Sequence, residues 1–178
     1  MHHQTEYDLN YVALVSLYYP TKQIKCIGSP ALYQSIVWSD NVPITQTDLH
    51  DKYITRLKAL KTDDLNELCE ETIRGGCTSS ALGSPHWYDM EEVDQINAIG
   101  SLLSTLPTPG QPNGGTTMYA CKDVITKAKL YKLHTYAQMA KLVTDGVQFK
   151  LSCLQHVFEK RIEVANSTTK EQILAINW

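Results

Sequence analysis

The stretch TQTDLHDKYITRLKALKTDDLNELCEETIRGG, residues 45–76, decides the fold class. Leu49, Tyr53, Leu57 and Leu60 recur at three- and four-residue intervals, which places them on one face of an α-helix. Thr45 or Thr47 supplies a hydroxyl for the free amides at the helix start. Thr62, Asp63 and Asp64 either interrupt the helix or open a second one carrying Leu65, Leu68 and Ile73. Gly75 and Gly76 end the run, because glycine enters the left-handed backbone region without a steric penalty. A long charged helix of this kind joins two parts of a protein. The chain therefore divides into a small β-rich region over residues 1–45, a connecting helix or helices over 46–75, and a helix-rich domain over 76–178.

Upstream, Tyr11 to Tyr19 is an apolar and aromatic run closed by Pro20. With Gln23 to Ile27 and Ser35 to Trp38 it reads as a small N-terminal antiparallel sheet, Asp40-Asn41 making the turn that follows. Downstream, Cys77 to Tyr88 carries small residues, Gly83, Pro85 and clustered aromatics, the composition of an ordered loop. Asp89 is placed to cap the next helix, with Glu92 three residues on and Val93, Ile96, Ile99 and Leu103 as its apolar stripe. Pro107 to Gly115 is loop, holding three prolines and three glycines. Thr117 to Lys122 and Leu130 to His134 form a hairpin with Tyr119 and Cys121 on one face. Thr135 and Gln138 open another helix, which Gly146 ends. A further amphipathic helix then runs from Val147 to Ala165 through Leu151, Leu154, Phe158 and Ile162. Thr168 or Thr169 caps a last short helix ending at Ile176 and Trp178. The class is α+β: a small N-terminal antiparallel sheet, a long connecting helix, and a helix-rich C-terminal domain with a β-hairpin.

A chain of 178 residues that is 43% hydrophobic and 20% charged has enough apolar side chains for a buried core. Its net charge of −3 argues against binding nucleic acid by overall basicity. Lys122, Lys127, Lys129 and Lys132 read as lysines guarding the edge of a solvated hairpin. No apolar run approaches the roughly 18 residues that span a bilayer, and the polar, acidic opening is unlike a secretory signal. Five cysteines at irregular spacing do not make a disulfide framework; they read as buried free thiols of a protein made in a reducing cytoplasm.

Several constellations bear on chemistry. Cys153-x-x-His156 shares a helix face, and Cys121, His134 and His86 could converge with it on zinc. Without a close Cys-x-x-Cys pair, core thiols and hydrogen-bonded histidines are the favoured reading, and no metal or cofactor is assigned. Cys77 or Cys121 with His86 or His134 would be the nucleophilic pairs, but no nucleophile elbow or phosphate loop accompanies them. No catalytic residue is assigned. Asp94, Gln95 and Asn97 lie beside an apolar stripe, so their polar groups need partners. Together with His134 they read as a structural polar cluster fastening the Cys77 to Tyr88 loop, the alternative being a ligand or ion site near His86 and Asp89. Ten tyrosines and three tryptophans against two phenylalanines favour surfaces with an apolar body and a polar rim. Tyr18, Tyr19, Trp38, His86, Trp87 and Tyr88 are the candidate partner or ligand contacts.

The segment SSALGSPHWYDMEEVDQINAIG, residues 79–100, resembles an uncharacterised domain family of tailed-bacteriophage tail-fibre-associated proteins. The resemblance continues through Tyr119-Ala120-Cys121-Lys122-Asp123, through Lys132 to Gln138, and through Ile173 to Trp178. It covers about residues 70–178, with Ser80, Gly83, His86, Tyr88, Asp94, Gln95, Asn97 and His134 as characteristic positions. The Pro/Gly segment after Leu106 is a local elaboration. Ile36-Val37-Trp38 and Val42 to Gln46 loosely resemble the layout of phage tail-fibre assembly proteins. The resemblance implies a virion protein made in the host cytoplasm. It would bind tail-fibre or baseplate proteins as a structural component or assembly chaperone, at three copies on a trimeric fibre. A receptor- or glycan-binding component at the fibre tip is the alternative, and a metal-dependent envelope hydrolase on His86, Cys121, His134 and Asp94 a third reading.

Overall fold

A computed structural model describes residues 8–40 and 43–178. The chain is α+β, with two separate antiparallel sheets set among helices. It divides into two compact units: one runs up to Asp64 and includes Arg161–Asn177, and the other comprises Leu65–Lys160 with Trp178. The boundary thus falls inside the helix expected to be a connector, and the C-terminal segment joins the N-terminal unit.

The first unit opens with α1, Tyr11–Tyr18, where a strand was expected. A uniformly apolar run carries no periodicity that separates helix from strand. The local chemistry decides for helix: the Asn10 side chain accepts a 2.9 Å hydrogen bond from the Ala13 amide, and Tyr11, Leu14 and Val15 are buried at helical spacing. The sheet is therefore two-stranded, β1 (Ile24–Cys26) pairing with β2 (Ile36–Trp38) in the register Lys25↔Val37. Of the expected Asp40-Asn41 turn, Asn41 lies outside the described residues. The core gathers Tyr11, Leu14, Val15, Ile36, Leu49, Tyr53, Leu57 and, from the far end of the chain, Ile173.

Helix α2, Gln46–Gly75, is one continuous helix of 30 residues, so Thr62 to Asp64 do not break it. Thr45 caps it, its hydroxyl accepting from the Asp48 amide at 3.0 Å. At its end Gly76 takes φ +113, and a Cβ there would stand 2.5 Å from both the Trp87 indole nitrogen and the Tyr88 carbonyl. Glycine is required on both counts.

The expected loop over Cys77 to Tyr88 is instead a hairpin of β3 (Cys77–Ser79) and β4 (His86–Tyr88). The turn residues between the strands dominated the composition and hid two three-residue strands. With β5 (Thr116–Lys122) and β6 (Lys129–Thr135) they form a four-stranded sheet in the order β3-β4-β5-β6. The β5–β6 hairpin falls where expected, with Tyr119↔Lys132 and Cys121↔Leu130 among its register pairs.

Helix α3, Glu92–Ser104, is not capped by Asp89, whose carboxylate takes the Lys122 ammonium at 2.5 Å instead. Helix α4, Tyr136–Asn166, opens with the expected reciprocal pair: Thr135 accepts from the Gln138 amide at 3.3 Å, and the Gln138 side chain accepts from the Thr135 amide at 2.8 Å. It does not stop at Gly146. That glycine is buried inside the helix, where a Cβ would lie 3.2 Å from the Met90 sulfur, so it serves close packing and not termination. Helix α5, Lys170–Ala175, has a full capping box between Thr169 and Gln172. Met139 and Leu142 from α4 join Ala81, Tyr88 and Cys121 in the second unit's core.

The apolar stripes of the last long helices are not in a core. Val93, Ile96, Ile99 and Leu103 on α3 are 50–66% exposed, and Leu151, Leu154 and Phe158 on α4 are 45–62% exposed. Among the described residues no helix is long and apolar enough to cross a membrane.

Candidate functional site

The second unit's sheet positions most of the singled-out side chains. Alternation along β5 and β6 sends Tyr119, Cys121, Lys132 and His134 to one face, and Met118, Ala120, Tyr131 and Leu133 to the other. The first face meets α4, and Tyr88 of the neighbouring strand β4 packs on the same side. There His134 is fully buried, its Nδ1 2.8 Å from the Lys132 carbonyl and its Nε2 3.0 Å from the Tyr88 hydroxyl. A carbonyl can only accept, so Nδ1 carries the proton and Tyr88 donates to Nε2. Burial holds the His134 pKa down, with the neighbouring His86 and Lys132 charges acting the same way and the bond to the Lys132 carbonyl opposing them. The same burial pushes the Tyr88 hydroxyl pKa up.

His86 repeats the pattern. Its Nδ1 lies 2.9 Å from the Ser84 carbonyl, and its Nε2 accepts from the Lys132 ammonium at 2.9 Å. Lys132 therefore bridges the two imidazoles, its side chain on one and its carbonyl on the other. Tyr119 closes the group: its ring lies edge-on to His134, and its hydroxyl donates to the Asp94 carbonyl at 2.9 Å. Burial, with the Asp94 and Asp89 charges, raises the Tyr119 pKa to about 12.

These contacts sort the residues proposed from sequence. Tyr88, His86 and His134 come together, but in the interior: Tyr88 is 2% and His86 7% exposed, which removes both as surface contacts. Trp87 is half-buried, its indole donating to the Gly75 carbonyl at 3.2 Å and its face covered by the Lys127 ammonium at 4.3 Å. Tyr18, Tyr19 and Trp38 are half-buried against the first unit's core. Gln95 fastens the Met90 carbonyl at 2.8 Å, not the 77–88 segment. Asp94 and Asn97 instead line a groove of about 570 Å³. The four hairpin lysines do not form a free basic patch: Lys122 pairs with Asp89, Lys127 covers Trp87, Lys129 lies 5.8 Å from the Tyr131 ring centroid, and Lys132 meets His86.

For chemistry, the thiols are poorly placed as nucleophiles. Burial pushes Cys77 up to about 11, helped by the Asp145 charge, and burial raises Cys121 as well, partly offset by Lys132. Cys153 is buried on α4, with His156 edge-on to Trp178 at 4.9 Å. Among the described residues no group of three or more His, Cys, Asp and Glu side chains is arranged to hold a metal ion.

The groove runs between α3 and the outer face of the hairpin. Asp94, Asn97, Ser101 and Ser104 line one side; Met118, Ala120, Lys129 and Tyr131 line the other. Met118, Tyr131 and Leu133 on that outer face are 57–64% exposed. Sequence reasoning did not single them out, although the signal was present: once Tyr119 and Cys121 share a face, Met118 and Ala120 make the opposite face apolar too. The chain matches no protein-family model, no curated protein and no solved structure.

Proposed function

We propose that this chain is a non-enzymatic protein of a tailed-bacteriophage particle, associated with tail fibres or baseplate. It would act as a bound structural component or fibre-assembly chaperone through protein–protein contacts. The observation that carries the binding role is the outer face of the β5–β6 hairpin, where Met118, Tyr131 and Leu133 stand exposed beside a groove. A sheet face with apolar residues on both sides suits burial on both sides. The virion assignment is supported by the ordered series of motifs over residues 79–178. The shielded thiols and the hydrogen-bonded histidines favour a structural role for residues whose types suggest catalysis. The test is co-purification of the chain with the fibre protein of the phage that encodes it. The wild type should be retained and a Met118→Asp, Leu133→Asp variant lost; equal retention of both, or of neither, would remove this reading.

The groove favours a second reading, a receptor- or glycan-binding component. Its carboxylate, amide and hydroxyl groups stand opposite the exposed ring of Tyr131, a pairing suited to hydroxyl-rich ligands. Tyr131 is then the ring on which a sugar would stack. Binding on a glycan array that Tyr131→Ala abolishes would support it, and no binding across the array would eliminate it.

A further inference from the structure

Val147, Leu151, Leu154 and Phe158 follow one another on α4 at intervals of four, three and four residues, and each is 45–62% exposed. That spacing is the seam of a two-helix coiled-coil contact. The seam is not isolated, because Ile99 of α3 and Val147 of α4 line a common cleft. With Leu103, also 59% exposed, α3 and α4 present one continuous apolar face. We infer that this face is covered by a second copy of this chain, the two α4 helices lying antiparallel about a two-fold axis near residues 152–153.

Three features select that occupant. In the antiparallel register Val147 meets Phe158 and Leu151 meets Leu154, so a small side chain faces a large one and two equal ones face each other. Such a pairing is self-complementary, as an isologous contact requires. One flank of the seam carries Gln148 and Gln155, both exposed and uncharged, so that side brings no like charges together, and on the other Lys150 is held by Gln95 at 3.4 Å. The exposed area is of the same order as such a contact. Ile99, Leu103 and the four seam residues, each 45–62% exposed, leave on the order of 600 Å² of apolar surface open, at the upper end of what a monomer shows. With their polar flanks they approach the roughly 800 Å² per partner of a stable interface. The pairing stands apart from the virion assignment, since it uses a different face from the hairpin.

Light scattering on the full chain across a dilution series, coupled to size exclusion, tests the pairing. The expected mass is twice the 20.0 kDa of the chain, returning to the single-chain value on dilution and in a Leu154→Glu variant whose helical circular dichroism is unchanged. A single-chain mass at every concentration, a three-copy mass, or a pair indifferent to Leu154→Glu would overturn it. Surface variants that leave the seam intact settle orientation without risk to folding. Gln148→Cys mixed with Gln155→Cys should cross-link between chains on oxidation, while Gln148→Cys alone should not. Efficient cross-linking of Gln148→Cys to itself would mean a parallel pair and would overturn the antiparallel one.

Discussion

Helix α2 and helix α3 carry the same sequence signal and meet opposite fates. Leu49, Tyr53 and Leu57 on α2 are at most 4% exposed, whereas Val93, Ile96, Ile99 and Leu103 on α3 are at least 50% exposed. Helical periodicity reports that one face is apolar; what covers that face depends on the rest of the chain. For α2, the covering residues come from α1, β2 and the distant Ile173. For α3, the inward contacts use other positions, such as Leu102 against the second unit's core. The hairpin repeats the contrast at the level of a sheet, with Cys121 and His134 sealed inside and Met118 and Leu133 outside.

Truncation should expose the contrast most strongly. Leu57→Ala removes a side chain with no exposed surface and should cost about 2–5 kcal/mol in urea unfolding. A cost below about 1 kcal/mol would mean that the first unit's core is loosely packed. Next in size is the inner face of the hairpin. Tyr88→Phe leaves the buried His134 Nε2 without its donor and should cost about 1–3 kcal/mol. The same histidine gives a pH signature. Its folded pKa lies below the roughly 6.5 of an unfolded histidine, so the unfolded chain binds the proton first as pH falls. His134 therefore favours the folded state fully above about pH 6.5, and that advantage is lost as pH falls from there toward the folded value. Replacing His134 by Gln should flatten this part of the stability–pH curve; an unchanged slope would place the titration elsewhere.

A smaller effect belongs to a helix end. Thr135→Ala removes the hydroxyl that accepts from the Gln138 amide and should cost about 1 kcal/mol. Smallest is the outer face: Leu103→Ala, measured in dilute solution where copies are apart, should shift stability by less than about 0.5 kcal/mol. The gap between Leu57→Ala and Leu103→Ala is the contrast itself, and equal costs would collapse it.

Features governed by neighbours in sequence were legible. Thr45, Thr135 with Gln138, and Thr169 with Gln172 act as helix starts, and the β5–β6 hairpin falls at its expected place. Features set by distant partners were not. Asp89 has the right spacing for a cap, but Lys122 lies across the sheet and takes its carboxylate. Gly146 has the composition of a stop, yet α4 runs through it, and Met90 packs where a side chain would be. Tyr11 to Tyr18 is strand-like in composition, and Asn10 with the helical burial of Leu14 and Val15 turns it into a helix. In the site, a hydrogen-bonded, structural His134 was anticipated, but the inward direction of His86 and Tyr88 was not. Direction depends on which face of the hairpin meets α4, and both faces are apolar.

We propose that this chain works by being bound to tail-fibre or baseplate proteins. Quantitative mass spectrometry of purified virions and of fibre complexes from infected-cell lysate tests it most directly. A chain that works in this way is expected in one of the two, at a copy number that is a multiple of three relative to a single trimeric fibre. Retention in the virion would mark a structural component, and presence only in the lysate complexes a chaperone. A chain abundant in lysate but missing from both would rule out that binding.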